Sequence, residues 1–376
     1  MAQTFDVAVI GGGVMGCGIA WKLAERGHKV VVLERDRVGA KASSAAAGML
    51  GAQAELTEDG PLLRLAVKSR SMFPGLAAEL KELSGIDIRF VDRGMVKIAL
   101  TAEEAEALRD QALRHCEMGL EVAWLDGERL RQRVPGLSPL VQGGVFLPRD
   151  GQVSAPDFTR ALARSAVKRG AIIREHVEVT GLVLDGNAVR GVKTLTDVIH
   201  ADRVVVAAGA WTGGMLAKAG VHIPTVPVKG ECFSVMADTT FLGHTVFAEG
   251  CYLVPKEGGR LVVGATMEPG TFDERISLGG LAELMQKAMR IFPSIHLASW
   301  ERAWSGIRPQ TPDGLPILGR HPEIGGLIVA TGHFRNGILL APVTAEIAAD
   351  LAEDKPVPPS LEAFRVDRWN NVEVMS

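Results

Sequence analysis

The stretch "FDVAVIGGGVMGCGIAWKLAERGHKVVVLER", residues 5–35, decides the fold. "FDVAVI" is a short apolar run that reads as a buried strand. "GGGVMG" follows as a glycine turn, then a helical stretch to Glu25, then a second strand within "RGHKVVVLER". Strand, turn, helix and strand make one βαβ unit. Gly11, Gly13 and Gly16 form GxGxxG at its turn. The first glycine permits the tight turn, the second lets backbone approach a pyrophosphate, and the third lets helix and strand pack closely. The helix N-terminus adds free N–H groups and partial positive charge. Glu34 ends the second strand, where a carboxylate can bind both hydroxyls of an adenosine ribose. The unit therefore predicts a dinucleotide with an unphosphorylated ribose.

Working outward, 376 residues suggest two or three domains. The chain is 47% hydrophobic and 23% charged, as soluble globular proteins are. A net charge of −3 leaves no footprint for nucleic acid or an anionic membrane. Cys17, Cys116, Cys232 and Cys251 are scattered, which argues against a metal site or disulfide framework and for a reducing compartment. The apolar N-terminal stretch lacks a basic leader, and no run of 18 apolar residues exists, so a cytoplasmic protein is expected.

Helices are expected over 62–83, with a kink at Pro74, and over 102–118 behind a capping box of Thr101 and Glu104. A second capping box, Ser154 and Asp157, opens a helix ending near Gly170. Residues 171–207 alternate as short strands with turn signals at Thr180-Gly181 and Asp185-Gly186-Asn187. "VVVAAGAW" and "LIVATGHFRNG" are apolar strands running into glycine, as buried parallel strands do. The helix pattern "PVTAEIAADLAED" follows the latter, and the last few residues look frayed.

A plain NAD enzyme would continue after Glu34 with another helix and strand. Here the chain runs "RDRVGAKASSAAAGML", where Ser43, Ser44 and Gly48 let backbone pass close to something bulky. With two further strand ends converging on the same crevice, a longer cofactor suits better. "SSAAAGM", "VVVAAGAW", "GIRPQTPDGLPILG" and "ATGHFRNGILLAP" together with the N-terminal unit resemble the FAD-dependent amine and amino-acid oxidases related to D-amino-acid oxidase and sarcosine oxidase. Within that family the glycine-oxidising branch of bacterial thiamine synthesis is most similar.

The resemblance implies an α/β fold: a Rossmann-like FAD-binding domain of the glutathione-reductase and D-amino-acid oxidase type, with a second α+β substrate domain built on an antiparallel sheet. The FAD domain would take 1–85, 148–222 and 305–365, and the substrate domain 86–147 and 223–304. It places Val14 and Met15 at the pyrophosphate, Glu34 and Arg35 at the ribose, and Val177 at adenine through its backbone. Ala42, Ser43, Ala47, Gly48 and Met49 would line the phosphates and flavin, with Ala208 and Gly209 at the same crevice. His333, Phe334, Arg335, Asn336, Gly337, Ile338 and Leu339 would wrap the flavin's pyrimidine end. Gly306 falls where sarcosine oxidases carry the cysteine bonded to flavin, which implies non-covalent FAD.

Arg308 poses the substrate question. A guanidinium stays charged, so in apolar surroundings it needs an anion, either a protein carboxylate or a ligand. If 302–308 is extended, Arg302, Trp304, Gly306 and Arg308 share one face. The resemblance makes Arg308 the grip on a substrate carboxylate, with the hydroxyl of Tyr252, the only tyrosine, as its helper. Arg335 could assist or could be a solvent-facing loop charge. Met267 and Met49 could close a small pocket or fill core. The implied activity is oxidation of glycine, sarcosine or D-alanine with O2 as acceptor, by a homotetramer without metal, membrane or nucleic-acid partner. The rivals are a D-amino-acid or sarcosine oxidase of broader specificity, a dehydrogenase passing electrons to a quinone, and a non-catalytic flavin module.

Overall fold

The computed structural model describes residues 4–237 and 242–369; the frayed C-terminus expected from sequence lies outside them. The first strand, Thr4–Ile10, runs parallel to Val30–Leu33 on one side and Val198–Val206 on the other. Ile172–Arg174 extends the parallel array beyond Val30–Leu33, and Leu327–Thr331 extends it beyond Val198–Val206. Val7 and Val9 enter one core cluster while Ala8 and Ile10 enter the other. Both faces are thus covered, which explains a continuous apolar run where a half-exposed strand would alternate.

The Val14–Glu25, Pro61–Ser84, Ala155–Lys168 and Gly337–Ala352 helices share the first cluster. The hairpin of Val179–Asp185 and Ala188–Thr194 contributes to the second. Parallel strands end on the same side, so Ile10, Leu33, Val206 and Thr331 finish around one crevice. Gly11 N–H donates to the Leu33 carbonyl (2.9 Å) and Ala207 N–H to that of Ile10 (2.8 Å), tying the strand ends together. Ligands of open α/β sheets bind at such carboxyl ends.

Several local expectations change. The last helix starts at Gly337, five residues before Pro342, which sits inside it. Proline removes a helical hydrogen bond and crowds the preceding turn. Here the Ser69 hydroxyl enters that turn: it donates to the Leu339 carbonyl (2.6 Å) and accepts from Val343 N–H (3.3 Å). An inserted side chain of this kind lets a helix continue past a proline. Thr180-Gly181 lies within a strand, beside a register irregularity between Lys193 and Thr194, and so marks a bulge rather than a turn. The Ser154 hydroxyl donates to the Asp157 carboxylate (2.6 Å) instead of capping backbone. The Thr101 cap forms as expected, accepting from Glu104 N–H (3.2 Å).

The second sheet orders Glu268–Pro269, Val226–Met236, Arg260–Gly264, Cys251–Pro255, Thr245–Ala248, Met95–Ala99, Gly143–Leu147 and Ala123–Asp126. All neighbours are antiparallel except Thr245–Ala248 with Met95–Ala99. The Ser299–Gln310 strand also pairs with Val226–Met236, antiparallel, along its whole length, so it runs past residue 305, where the sequence reading divides the chain. No helix among the described residues is long and apolar enough to cross a membrane.

Candidate active site

A cavity of about 1460 Å³ is lined from both sheets, with Glu34 and Val177 toward one end and Tyr252 and Arg308 toward the other. Small-molecule pockets usually span roughly 300–1,000 Å³. This one has room for a dinucleotide and a small second molecule.

The glycine turn makes the dinucleotide end. Gly11 has φ 104°, and a Cβ there would overlap the Ala207 carbonyl carbon at 2.9 Å. A Cβ at Gly16 would overlap the Gly11 carbonyl, so this glycine packs helix on strand and does not face the cavity. The Glu34 carboxylate accepts from Gly12 N–H (2.6 Å) and Asp36 N–H (2.8 Å), and these two donors fix its direction. Val14 N–H, at the helix N-terminus, donates to the Ser43 hydroxyl (2.9 Å). That hydroxyl keeps its own proton for an anion, so Ser43 passes the helix-end donor onward. Arg35 stacks over Trp211, 4.2 Å from the ring centroid. Val177 donates its N–H to the Glu34 carbonyl (2.8 Å), so only its carbonyl remains for adenine. Ala208 and Gly209 line the wall, and the Gly209 carbonyl accepts from the Thr331 hydroxyl (3.0 Å). These glycine cradles and the aimed carboxylate fit an adenine dinucleotide such as FAD.

The middle is built from two loops. Ala42, Ala47, Gly48 and Met49 line it on one side. On the other lie His333, Phe334, Asn336, Gly337 and Ile338, where Phe334 takes the unusual φ of 45°. The 16-residue helix that follows directs its N-terminus into this region. Leu339 departs from expectation: its side chain is core and its carbonyl is taken by Ser69. His333 accompanies Thr344 at 3.1 Å, and burial pushes its pKa down to about 3. It is a neutral wall residue with no capacity to act as a base near neutrality.

Strand register builds the far end. Lys97, Phe247, Tyr252, Gly264, Cys232 and Trp304 are successive partners across six strands. Directly paired residues share a face, so these six form one row, of which Lys97, Phe247, Tyr252 and Cys232 line the cavity. Two and four residues along the last strand come Gly306 and Arg308, paired with Gly230 and Val228. The extended face expected for Arg302, Trp304, Gly306 and Arg308 is therefore present: Arg302 stacks on Trp304 and the Trp304 indole donates to the Ala45 carbonyl (2.9 Å).

Glycines make the space that the large side chains use. A Cβ at Gly230 would overlap the guanidinium of Arg308, and one at Gly264 would overlap the Tyr252 hydroxyl oxygen. Arg308 donates from Nη1 to the Thr266 carbonyl (3.2 Å), and no carboxylate pairs with it among the described residues. Tyr252 sits 3.4 Å from the Cys232 sulfur. Burial holds its phenol well above the usual tyrosine range, despite the opposing Arg308 charge, so it is a neutral donor.

Two expected helpers, Arg335 and Met267, also line the cavity. Arg335 lines the cavity but is tied to Glu55 by Nε (2.8 Å) and Nη2 (2.9 Å). Burial works against its charge, yet Glu55 outweighs this and raises its pKa. The carboxylate cancels the guanidinium charge and takes two of its five N–H donors, which weakens its pull on a second anion. Met267 is 61% exposed at the cavity rim, whereas Met49 lines it half-buried.

Sequence reading missed Glu55, Phe247, Lys97 and Thr266. Glu55 ends the short Ala52–Glu55 helix, whose position depends on Asp150 accepting from Gln53 N–H (3.1 Å) and Ala54 N–H (2.9 Å) while pairing with Arg70. Long-range contacts of this kind leave no local pattern. Phe247 and Lys97 could have been placed only by knowing the strand register.

The family model described as FAD dependent oxidoreductase matches residues 6–351. Glycine oxidase of Geobacillus kaustophilus is 46% identical over 98% of each chain, and its crystal structure superposes with a TM-score of 0.95 over 98% of this chain and 99% of that one. Glycine oxidase of Bacillus subtilis is 40% identical over the full length of both. A bifunctional protein ThiO/ThiG of Trichormus variabilis is 36% identical over 98% of this chain and 55% of its own length. Family match and site geometry agree, and the chain belongs to the FAD-dependent oxidoreductases of the D-amino-acid oxidase type.

Proposed function

We propose that this protein oxidises glycine, and with it sarcosine and small D-amino acids, to glyoxylate or the corresponding 2-oxo acid and H2O2, releasing ammonia from the primary amino acids and methylamine from sarcosine. The observation that carries this reading is Arg308: a permanent cation facing the cavity beside a neutral phenol donor, without a protein carboxylate to satisfy it. The guanidinium can fork onto the two oxygens of a substrate carboxylate, which fixes orientation as well as position. Tyr252 adds a hydroxyl hydrogen bond. Bound FAD supplies the acceptor for the substrate's electron pair. The chain's part is to bind and orient the amino acid, and orientation alone can account for a large share of a rate enhancement.

No side chain is needed as a base if the amino group binds neutral. The buried neutral His333 agrees with that. Activity should accordingly rise with pH below the substrate amine pKa. FAD is held without a covalent bond in this reading: residue 306 is glycine, and a Cβ there would come within 2.6 Å of the Ala45 Cβ, leaving no room for a linking side chain. The two sheets are the cores of an FAD domain and a substrate domain, with the boundary near 305 moved to the end of the Ser299–Gln310 strand. A cytoplasmic homotetramer serving thiamine synthesis completes the assignment, on the resemblance to that branch.

The test is anaerobic mixing of the yellow holoenzyme with glycine, sarcosine or D-alanine. Bleaching by glycine, followed by H2O2 formation on admitting air, is expected. A flavin that no small amine bleaches would overturn the reading in favour of a non-catalytic module. Bleaching without O2 uptake would make it a dehydrogenase.

A further inference from the structure

Arg308 can serve a carboxylate only if something fixes the plane of its guanidinium. Its Nη1 donates to the Thr266 carbonyl at 3.2 Å. Gly230 gives the guanidinium a backbone surface to lie against but no hydrogen bond. Thr266 is in turn fixed from both of its polar ends. Its hydroxyl accepts from Glu231 N–H (2.8 Å), and its own N–H donates to the Glu231 carbonyl (3.2 Å). Two residues on, Glu268 pairs with Lys229 (3.4 Å), which also pairs with the buried Glu231 (3.0 Å). Gly270 N–H donates to the Pro227 carbonyl (2.8 Å). The segment from Thr266 to Gly270 is thus stapled to the strand that lies beneath the guanidinium.

We propose that Thr266 is a positioning residue for substrate binding: its hydroxyl anchors the loop so that its carbonyl holds one edge of Arg308 and leaves the other N–H groups aimed at the carboxylate. A guanidinium has five N–H donors. Spending one on a fixed carbonyl converts a swinging cation into an oriented fork. This rests on the reading of Arg308 given above. Thr266 acts through Arg308 in this proposal, so its removal acts on KM and on carboxylate affinity, and leaves kcat nearly unchanged.

The experiment compares Thr266→Val with Thr266→Ser in FAD-loaded enzyme. Steady-state kinetics with glycine are measured alongside equilibrium binding of glycolate, followed by its perturbation of the flavin spectrum. Thr266→Val loses the acceptor and should raise KM and the glycolate Kd together by about tenfold, the scale of leaving one buried backbone N–H unpaired. Thr266→Ser retains it and should stay within about twofold of wild type, because the backbone carbonyl is still anchored. Equal effects of Ser and Val, or a fall in kcat at constant KM, would overturn the proposal. If Thr266→Val does not retain FAD, Thr266→Ala removes the hydroxyl without adding a methyl. Loss of FAD in both would make Thr266 a folding residue and also refute the proposal. Arg308→Ala in the same assay separates the two levels. An unchanged glycolate Kd there sinks the functional reading, whereas a large loss there with no effect of Thr266→Val sinks only this one.

Discussion

Arg308 and Arg335 line the same cavity and carry the same charge, yet among the described residues only Arg335 has a carboxylate partner. Arg335 sits on a loop whose neighbour Glu55 reaches it with both oxygens. Arg308 sits on a strand flanked by glycines and meets only a backbone carbonyl. The difference teaches that in a cavity a cation's function depends on what has already been spent on it. A paired guanidinium shapes a wall, whereas an unpaired one recruits its anion from solution.

The comparison is easiest to break at Arg308. Arg308→Ala should lower kcat/KM for glycine by about two to three orders of magnitude, in line with the loss of one partner from a desolvated charge pair. Arg308→Lys should recover little, because an ammonium cannot fork onto two oxygens. Steady-state kinetics on FAD-replete protein decide this. Next in size is Gly230→Ala, whose Cβ would displace the guanidinium while leaving its charge in place. KM should rise by roughly ten- to a hundredfold with FAD content unchanged, on the scale of a lost charged hydrogen bond. A silent Gly230→Ala would mean that Arg308 does not work from the position described here.

Tyr252→Phe should cost about tenfold in KM, one hydrogen bond to a charged acceptor. Because burial holds the phenol well above its usual range, it stays protonated through alkaline conditions. Wild-type KM should therefore not climb between pH 8 and about 10 through loss of this donor; a tyrosinate would repel the carboxylate, so a climb there that Tyr252→Phe abolishes would contradict the assignment. The smallest effect is expected at the other arginine. Arg335→Ala should change kcat/KM by less than about threefold, no more than one weak hydrogen bond, since its charge is already cancelled by Glu55. A loss as large as that of Arg308→Ala would erase the contrast.

The two ends of the cavity also differ in how openly the sequence announces them. At the dinucleotide end, Gly11, Gly13, Gly16 and Glu34 fall within one βαβ unit, so local spacing carries both the geometry and the chemistry. At the substrate end, Tyr252 and Arg308 lie 56 positions apart, on strands with two others between them. Their residue types hint at an anion, but only resemblance to a family suggests that they meet. Leu339 shows the converse. It continues the glycine loop that faces the cofactor, yet a helix turns each residue by about 100°, and its side chain enters the core.

Sequence alone determined the βαβ unit, the buried parallel strands and the dinucleotide, because these rest on interactions among residues close along the chain and on apolar period. Tertiary structure decided which charges are free. Whether Arg308 or Arg335 meets a carboxylate depends on Glu55, Thr266 and Gly230, which are brought in from distant segments. Pairing of charges is a short-range interaction between groups of long sequence separation, and only the folded chain sets those distances.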